Sequence, residues 1–228
     1  MSKALSEMTL EELWQLFPIL LTKPDPRWSD WYREEASHIA ALLDGYDFKG
    51  NTAQRTAELP DAPKLHHIGS TADLPDAPKL HRIGSTADLS DAPKLHHIGS
   101  TAIAGIWAKP IVDILVEIPV SASMEEIADL LTADGYTRMS ESENRISLNK
   151  GYTPDGFAER VFHLHLRFSG DIREVYFRDY MNAHPDLAKK YEALKLSLWK
   201  RYEHNRDAYT DAKTDFITRC TDAALDAK

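Results

Sequence analysis

Between Ile111 and Pro119 the chain alternates as IVDILVEIP, with Asp113, Leu115 and Glu117 on one face and Val112, Ile114, Val116 and Ile118 on the other. That pattern predicts a buried strand. Ala158 to Phe168, AERVFHLHLRF, predicts a second, with His163, His165 and Arg167 on one face and Phe162, Leu164 and Leu166 on the other. Tyr136 to Met139 and Arg145 to Asn149 read as a pair of short strands, and Ile19 to Thr22 as another short strand. Helical spacing covers most of the rest. Thr9 with Glu12 forms a capping box for a short helix through Leu16, which Pro18 ends. Lys23 to Pro26 is a turn, and Trp28 to Leu43 is amphipathic, with Gly45 as its stop. Residues 46–58 are polar and read as loop. Met124 to Gly135 is a helix opened by Ser123. From Asp171 the chain is helical, broken at His184-Pro185, continuing as DLAKKYEALKLSLWKRY and closing with a helix from Ala208 to Ala224. The order predicts an α/β fold of the α+β kind, a small mixed sheet with flanking helices, in one domain spanning 1–228.

Residues 56–100 interrupt this pattern with one 15-residue unit written three times: TAELPDAPKLHHIGS, TADLPDAPKLHRIGS and TADLSDAPKLHHIGS. Each copy pairs a proline-containing turn with the short extended run KLH(H/R)I and a Gly-Ser. With so few apolar side chains per unit, a solenoid is rejected in favour of a duplicated strand-turn segment. The fold has one slot for that segment. The third copy is its expected occupant, because it runs without interruption through Ile103 to Asp113. In the earlier copies Asp73 and Asp88 stand where Ile103 would be, and Arg82 stands in place of His97. Register slippage, or exchange of copies between chains, offers a route to a homodimer.

The formal net charge is −9, from 36 acidic and 27 basic residues, which argues against bulk nucleic-acid binding. One cysteine, Cys220, excludes an internal disulfide and a multi-cysteine zinc site. The opening MSKALSEMTLEELW lacks the apolar core of a signal peptide, and Leu16 to Leu21 is too short to cross a bilayer, so the expectation is a cytoplasmic protein with no membrane partner.

Three features carry candidate chemistry. The turn Gly99-Ser100-Thr101 brings backbone N–H groups and hydroxyls toward an anion. Asp113 is an acid inside an apolar strand, which is costly unless paired or bound to a cation; magnesium favours such hard oxygen ligands together with substrate phosphates. His163 and His165 point the same way from one strand, an arrangement suited to a metal or a phosphate, or else to a solvent-facing edge. Lys109, just before the acidic strand, offers a cation for phosphate, and His97 either joins the same cavity or is only a strand residue.

The segments HIGSTAIAGIWAKPIVDILV (97–116), HLHLR (163–167), FRDYMNAHPDLAKKYEALKLSLWKRY (177–202) and YTDAKTDFI (209–217), with a fainter KPDPRWSDWYREE (23–35), resemble the GrpB-like family of the nucleotidyltransferase-fold superfamily. The resemblance implies a nucleotidyltransferase-like fold and a divalent metal, Mg or Mn, near the Gly-Ser turn and the aspartate. On that basis Asp113 and Glu117 are the catalytic candidates. Asp113, His163 and His165 are the metal candidates, and Gly99, Ser100, Thr101, Lys109, His165 and Lys213 the phosphate candidates. Lys213 and Tyr209, in YTDAK, either face the cleft or pack the last helix. The sequence departs from the superfamily at one point: Leu115 stands where a second carboxylate is usual, and Glu117 lies two residues beyond it, about 6 to 7 Å further along the strand. The implied partner is a nucleotide or phosphorylated small molecule, and the implied activity is metal-dependent nucleotidyl transfer. A non-catalytic binding module on a degenerate transferase fold is the alternative, and a zinc or nickel site of His163, His165 and His97 a third reading.

Overall fold

A computed structural model describes residues 3–48 and 92–227. Repeat copies one and two, and the first six residues of copy three, lie outside the described residues. The elements are α1 (Leu10–Leu16), α2 (Arg27–Leu43), β1 (Lys94–Ile98), β2 (Val112–Ile118), α3 (Met124–Ala133), β3 (Thr137–Ser142), β4 (Arg145–Thr153), β5 (Gly156–Phe168), α4 (Arg173–Ala183), α5 (Pro185–Trp199) and α6 (Arg206–Asp226). The strands form a mixed sheet of order β1-β2-β5-β4-β3, in which β2 and β5 are parallel and the other pairings antiparallel. The expected α/β class, a mixed sheet with flanking helices, is what the chain adopts.

The alternation in β2 and β5 sets the layers. Val112, Ile114, Val116 and Ile118, with Phe162, Leu164 and Leu166, form the main core beneath α2 and α3, against Trp28, Trp31, Ile39, Ile127 and Leu131. On the opposite face the last three helices close over the sheet. There Ile98, Leu115 and Val175 form one small cluster, while Ile103, Ile106, Phe177, Met181 and Tyr191 form another. Asp113, His163 and His165 therefore lie between the sheet and the C-terminal helices.

Local chemistry fixes the helix ends. Glu12 N–H donates to Thr9 Oγ1 (3.2 Å) and Thr9 N–H to Glu12 Oε2 (2.7 Å), the reciprocal box that opens α1. Ser123 and Asn205 cap α3 and α6, and Pro185 sits at the first position of α5. Two expectations change. Ile19 to Thr22 pairs through an isolated bridge from Thr22 to Ala108, and Ile19 is tied elsewhere: its N–H donates to the Glu203 carbonyl (2.8 Å) and its carbonyl accepts from Trp199 Nε1 (2.5 Å). The segment at 46–48 is more than a polar loop, since Phe48 is buried in the main core. No helix among the described residues is long and apolar enough to cross a membrane.

Candidate functional site

Beyond β1 the chain turns at Gly99, whose φ of 70° is left-handed, into one 3-10 turn over Ser100–Ala102. Thr101 holds that turn against the start of β2. Its hydroxyl donates to the Ile111 carbonyl (3.2 Å) and accepts from His97 Nε2 (3.0 Å). This brings the Asp113 carboxylate under Gly99, into the space a Cβ there would fill.

Parallel pairing sets Asp113 opposite His163 and Leu115 opposite His165. His163 Nδ1 lies 3.2 Å from Asp113 Oδ1 and His165 Nε2 lies 3.7 Å from it. Each ring is fixed from behind: His163 Nε2 meets the Tyr152 hydroxyl at 2.9 Å, and His165 Nδ1 meets Ser147 Oγ at 3.3 Å. Burial raises the Tyr152 hydroxyl, opposed by the nearby Arg206 guanidinium and aided by Asp113. Burial would raise the Asp113 carboxyl, but the adjacent imidazoles of His163 and His165 outweigh it and hold it well below the usual range. Burial pushes His163 down, against the pull of Asp113.

Beside this trio is a cavity of about 220 Å³ lined by four cationic side chains, Lys109, Lys195, Arg206 and Lys213, with Asp113 as its one carboxylate. Burial brings Lys109 down to about 7, with help from Arg206 and Lys213 and against Asp113. Burial likewise takes Lys195 to about 7, its ammonium donating to the Trp107 carbonyl, and Lys213 to about 8. The Tyr209 hydroxyl, in the same lining and 5% exposed, finds no hydrogen-bond partner among the described residues. A second cavity of about 490 Å³ shares Ser100, Asp113, Thr210 and Lys213 and extends past His165 toward Tyr191. Burial pushes the Tyr191 hydroxyl up to about 12, with nearby Ser100 opposing and Asp113 adding.

The fold thus brings together Gly99, Ser100, Lys109, Asp113, His163, His165 and Lys213. It does not bring in Glu117, which is buried with Oε1 accepting from Gly170 N–H (3.2 Å) and Oε2 3.0 Å from His96 Nε2. Leu115, between the two acids, is core. Thr101 spends its hydroxyl on the turn. His97 points to the other face and stacks on Tyr32 (4.7 Å, 10°), outside the His163 and His165 cluster. Tyr209 and Lys213 do face the cleft. Sequence reading missed Lys195, Tyr191, Arg206 and Thr210. For the last two a signal existed: Arg206, Thr210 and Lys213 stand at i, i+4 and i+7 on α6, one polar stripe.

Asp113, His163 and His165 offer one oxygen and two nitrogens within 4.8 Å of one another. That donor set fits a single ion. It does not fit two ions bridged by paired carboxylates, since Leu115 is apolar and Glu117 is engaged elsewhere.

Residues 77–223 match the family model described as GrpB protein. A UPF0157 protein of Halalkalibacterium halodurans is 30% identical over 214 residues, covering 87% of this chain and 78% of that protein. One from Pseudomonas aeruginosa is 36% identical over 129 residues, covering 55% of this chain and 53% of its own length. Across the first curated relatives the chain spans about a third to a half of their length, 34% and 53%. The crystal structure of the conserved protein GrpB from Enterococcus faecalis shares the fold, with a TM-score of 0.60 at 24% identity, covering 91% of this chain and 98% of that one.

Proposed function

The chain belongs to the GrpB family, and we propose that it binds a phosphorylated small molecule of the nucleotide class, with one divalent cation at Asp113, His163 and His165. The observation that carries this is the convergence of Lys109, Lys195, Arg206 and Lys213 on one small cavity with a single acid. Clustered, partly desolvated basic groups facing a single acid are unfavourable as cations, and a phosphate supplies further counter-charge. Lys109, Arg206 and Lys213 hold phosphate oxygens, Ser100 and the Tyr209 hydroxyl donate hydrogen bonds, and Asp113 carries the cation. When bound, the cation supplies Lewis-acid charge neutralisation at a phosphoryl oxygen. Two imidazoles in the donor set favour manganese over magnesium. The buried free Cys220 accords with a reducing cytoplasm.

The resemblance to nucleotidyltransferases makes metal-dependent nucleotidyl transfer the reaction to test. The core position of Leu115 favours a second reading, ligand binding without turnover, because the carboxylate of a second metal is missing. Calorimetry with AMP and ATP in the presence of Mn²⁺ or Mg²⁺ tests the binding reading. Wild type should bind, and Asp113→Asn should lose the metal-dependent part of the affinity. Unchanged metal and nucleotide binding in Asp113→Asn removes the assignment. Product formation from any nucleoside triphosphate separates the enzyme from the binding module.

A further inference from the structure

The small cationic cavity shares Lys109, Arg206 and Thr210 with a groove of about 600 Å³. Its apolar lining includes Leu10, Leu13 and Trp14 of α1, Phe17 just beyond, Met139 of β3 and Tyr152 of β4. Among the described residues few large apolar side chains are exposed, and two of them, Leu10 at 55% and Met139 at 38%, are in this groove. No residue of α1 is buried. The helix is held by its capping box and by His204 Nδ1, 3.1 Å from the Trp14 carbonyl, so its apolar side chains are presented toward the groove and not used as core.

We propose that this groove seats a flat aromatic group linked, directly or through a sugar, to the phosphate that occupies the cationic cavity, making the ligand an aryl or nucleoside phosphate. The inference rests on the anion-site reading above. Tyr152 joins the two halves: its hydroxyl is fixed 2.9 Å from His163 Nε2, and its ring lies 4.7 Å from that of Phe17. A ligand bound at Lys109 and Arg206 therefore has an aromatic wall directly beside its phosphate. The groove's volume is that of small-molecule sites, which are mostly apolar with a few polar groups fixing orientation. Those groups are here too: Asp207 and Asp211, one turn apart on α6, line the same groove and accept from ring N–H or sugar hydroxyls. Leu10 to Phe17 precede residue 77, where the family match begins, so that side of the wall comes from a part of the chain that match does not reach.

The test is calorimetry on the full chain with AMP, ribose 5-phosphate and inorganic phosphate, each with Mn²⁺. Wild type should prefer AMP over ribose 5-phosphate by about tenfold or more, the weight of one ring stack. Trp14→Ala and Met139→Ala should each shrink that preference to about threefold or less, with ribose 5-phosphate affinity unchanged, and Trp14→Phe should restore most of it. Met139 is exposed, so its variant keeps the test open if Trp14→Ala fails to fold. Two results overturn the proposal while sparing the anion site: ribose 5-phosphate binding as well as AMP, or an AMP preference unaltered in folded variants. Binding of none of the three compounds by wild type sinks both readings.

Discussion

The Asp113 carboxylate occupies the space that a side chain on Gly99 would need: a Cβ there would overlap Oδ2 and lie 2.8 Å from Cγ. Glycine is required twice at this position, for that contact and for its φ of 70°. Gly99→Ala should lower stability by about 1 to 3 kcal/mol and weaken metal binding, because Asp113 must move or the turn must unwind. Thermal melts and calorimetry measure both. In the Gly99→Ala background, Asp113→Ala should recover part of the lost stability, since it empties the contested space. A Gly99→Ala protein that melts and binds like wild type would show that the contact carries no weight.

Lys213 sets stability against binding. Its pKa falls from 10.5 to about 8 on folding, chiefly through burial, with Arg206 adding and Asp113 opposing. With the folded value depressed, the unfolded chain binds the extra proton between those two pH values. The unliganded protein therefore gains stability as pH rises through that window, and at neutral pH the charged lysine costs about 2 to 3 kcal/mol before relaxation. Lys213→Met should raise the melting temperature at pH 7, with the gain shrinking by pH 10, and should weaken nucleotide binding by about tenfold or more. A variant that melts lower at pH 7 and binds normally contradicts the cationic-cavity reading.

His97 gives the acid limb of the stability profile. Burial, aided by Arg178 and opposed by Asp113, lowers it from 6.5 to about 4 while it stacks on Tyr32 and donates to Thr101 Oγ1. A base whose folded pKa is depressed contributes stability that is complete above 6.5 and lost as pH falls toward 4, here about 2 to 3 kcal/mol. Urea midpoints at pH 7 and pH 5 should differ more for wild type than for His97→Gln, whose amide still reaches Thr101. Equal pH slopes in the two proteins would remove His97 as the source.

What was legible in the sequence follows from the reach of each signal. Alternation in IVDILVEI and FHLHLRF identified both central strands and put Asp113, His163 and His165 on the correct faces, because period two is a local property. It could not show that Asp113 would stand opposite His163, which depends on a parallel register across fifty residues. Lys195 was invisible for a related reason. It sits on a helix where a lone cation reads as solvent-facing, and only the packing of α5 over the site turns it inward. Glu117 shares Asp113's face as alternation requires, yet its partners are His96 on the neighbouring strand and the Gly170 N–H in the loop after β5, which no periodicity predicts.

Copy three of the repeat supplies β1 as Lys94–Ile98, and the side chains around it explain why an earlier copy would fit less well. Ile103 is 4% exposed against Phe177 and Met181, where its counterparts are Asp73 and Asp88. His97 stacks on Tyr32 near Arg178, which donates to the His97 carbonyl, and copy two would bring Arg82 to that place. Burying an aspartate there, or a second guanidinium beside the first, costs on the order of a few kcal/mol. Shortening the connection between α2 and β1 contributes only about 1 kcal/mol in the other direction. Deleting residues 56–85 should therefore leave melting temperature, oligomeric state and nucleotide affinity close to wild type. Ile103→Asp in the full chain removes the larger of the two biases. Strand resonances assigned by NMR should then move in part from 94–98 to the equivalent residues 79–83 and 64–68. If they stay wholly at 94–98, the copies do not compete for the slot. If the deletion alone changes the oligomeric state, the earlier copies have been pairing between chains.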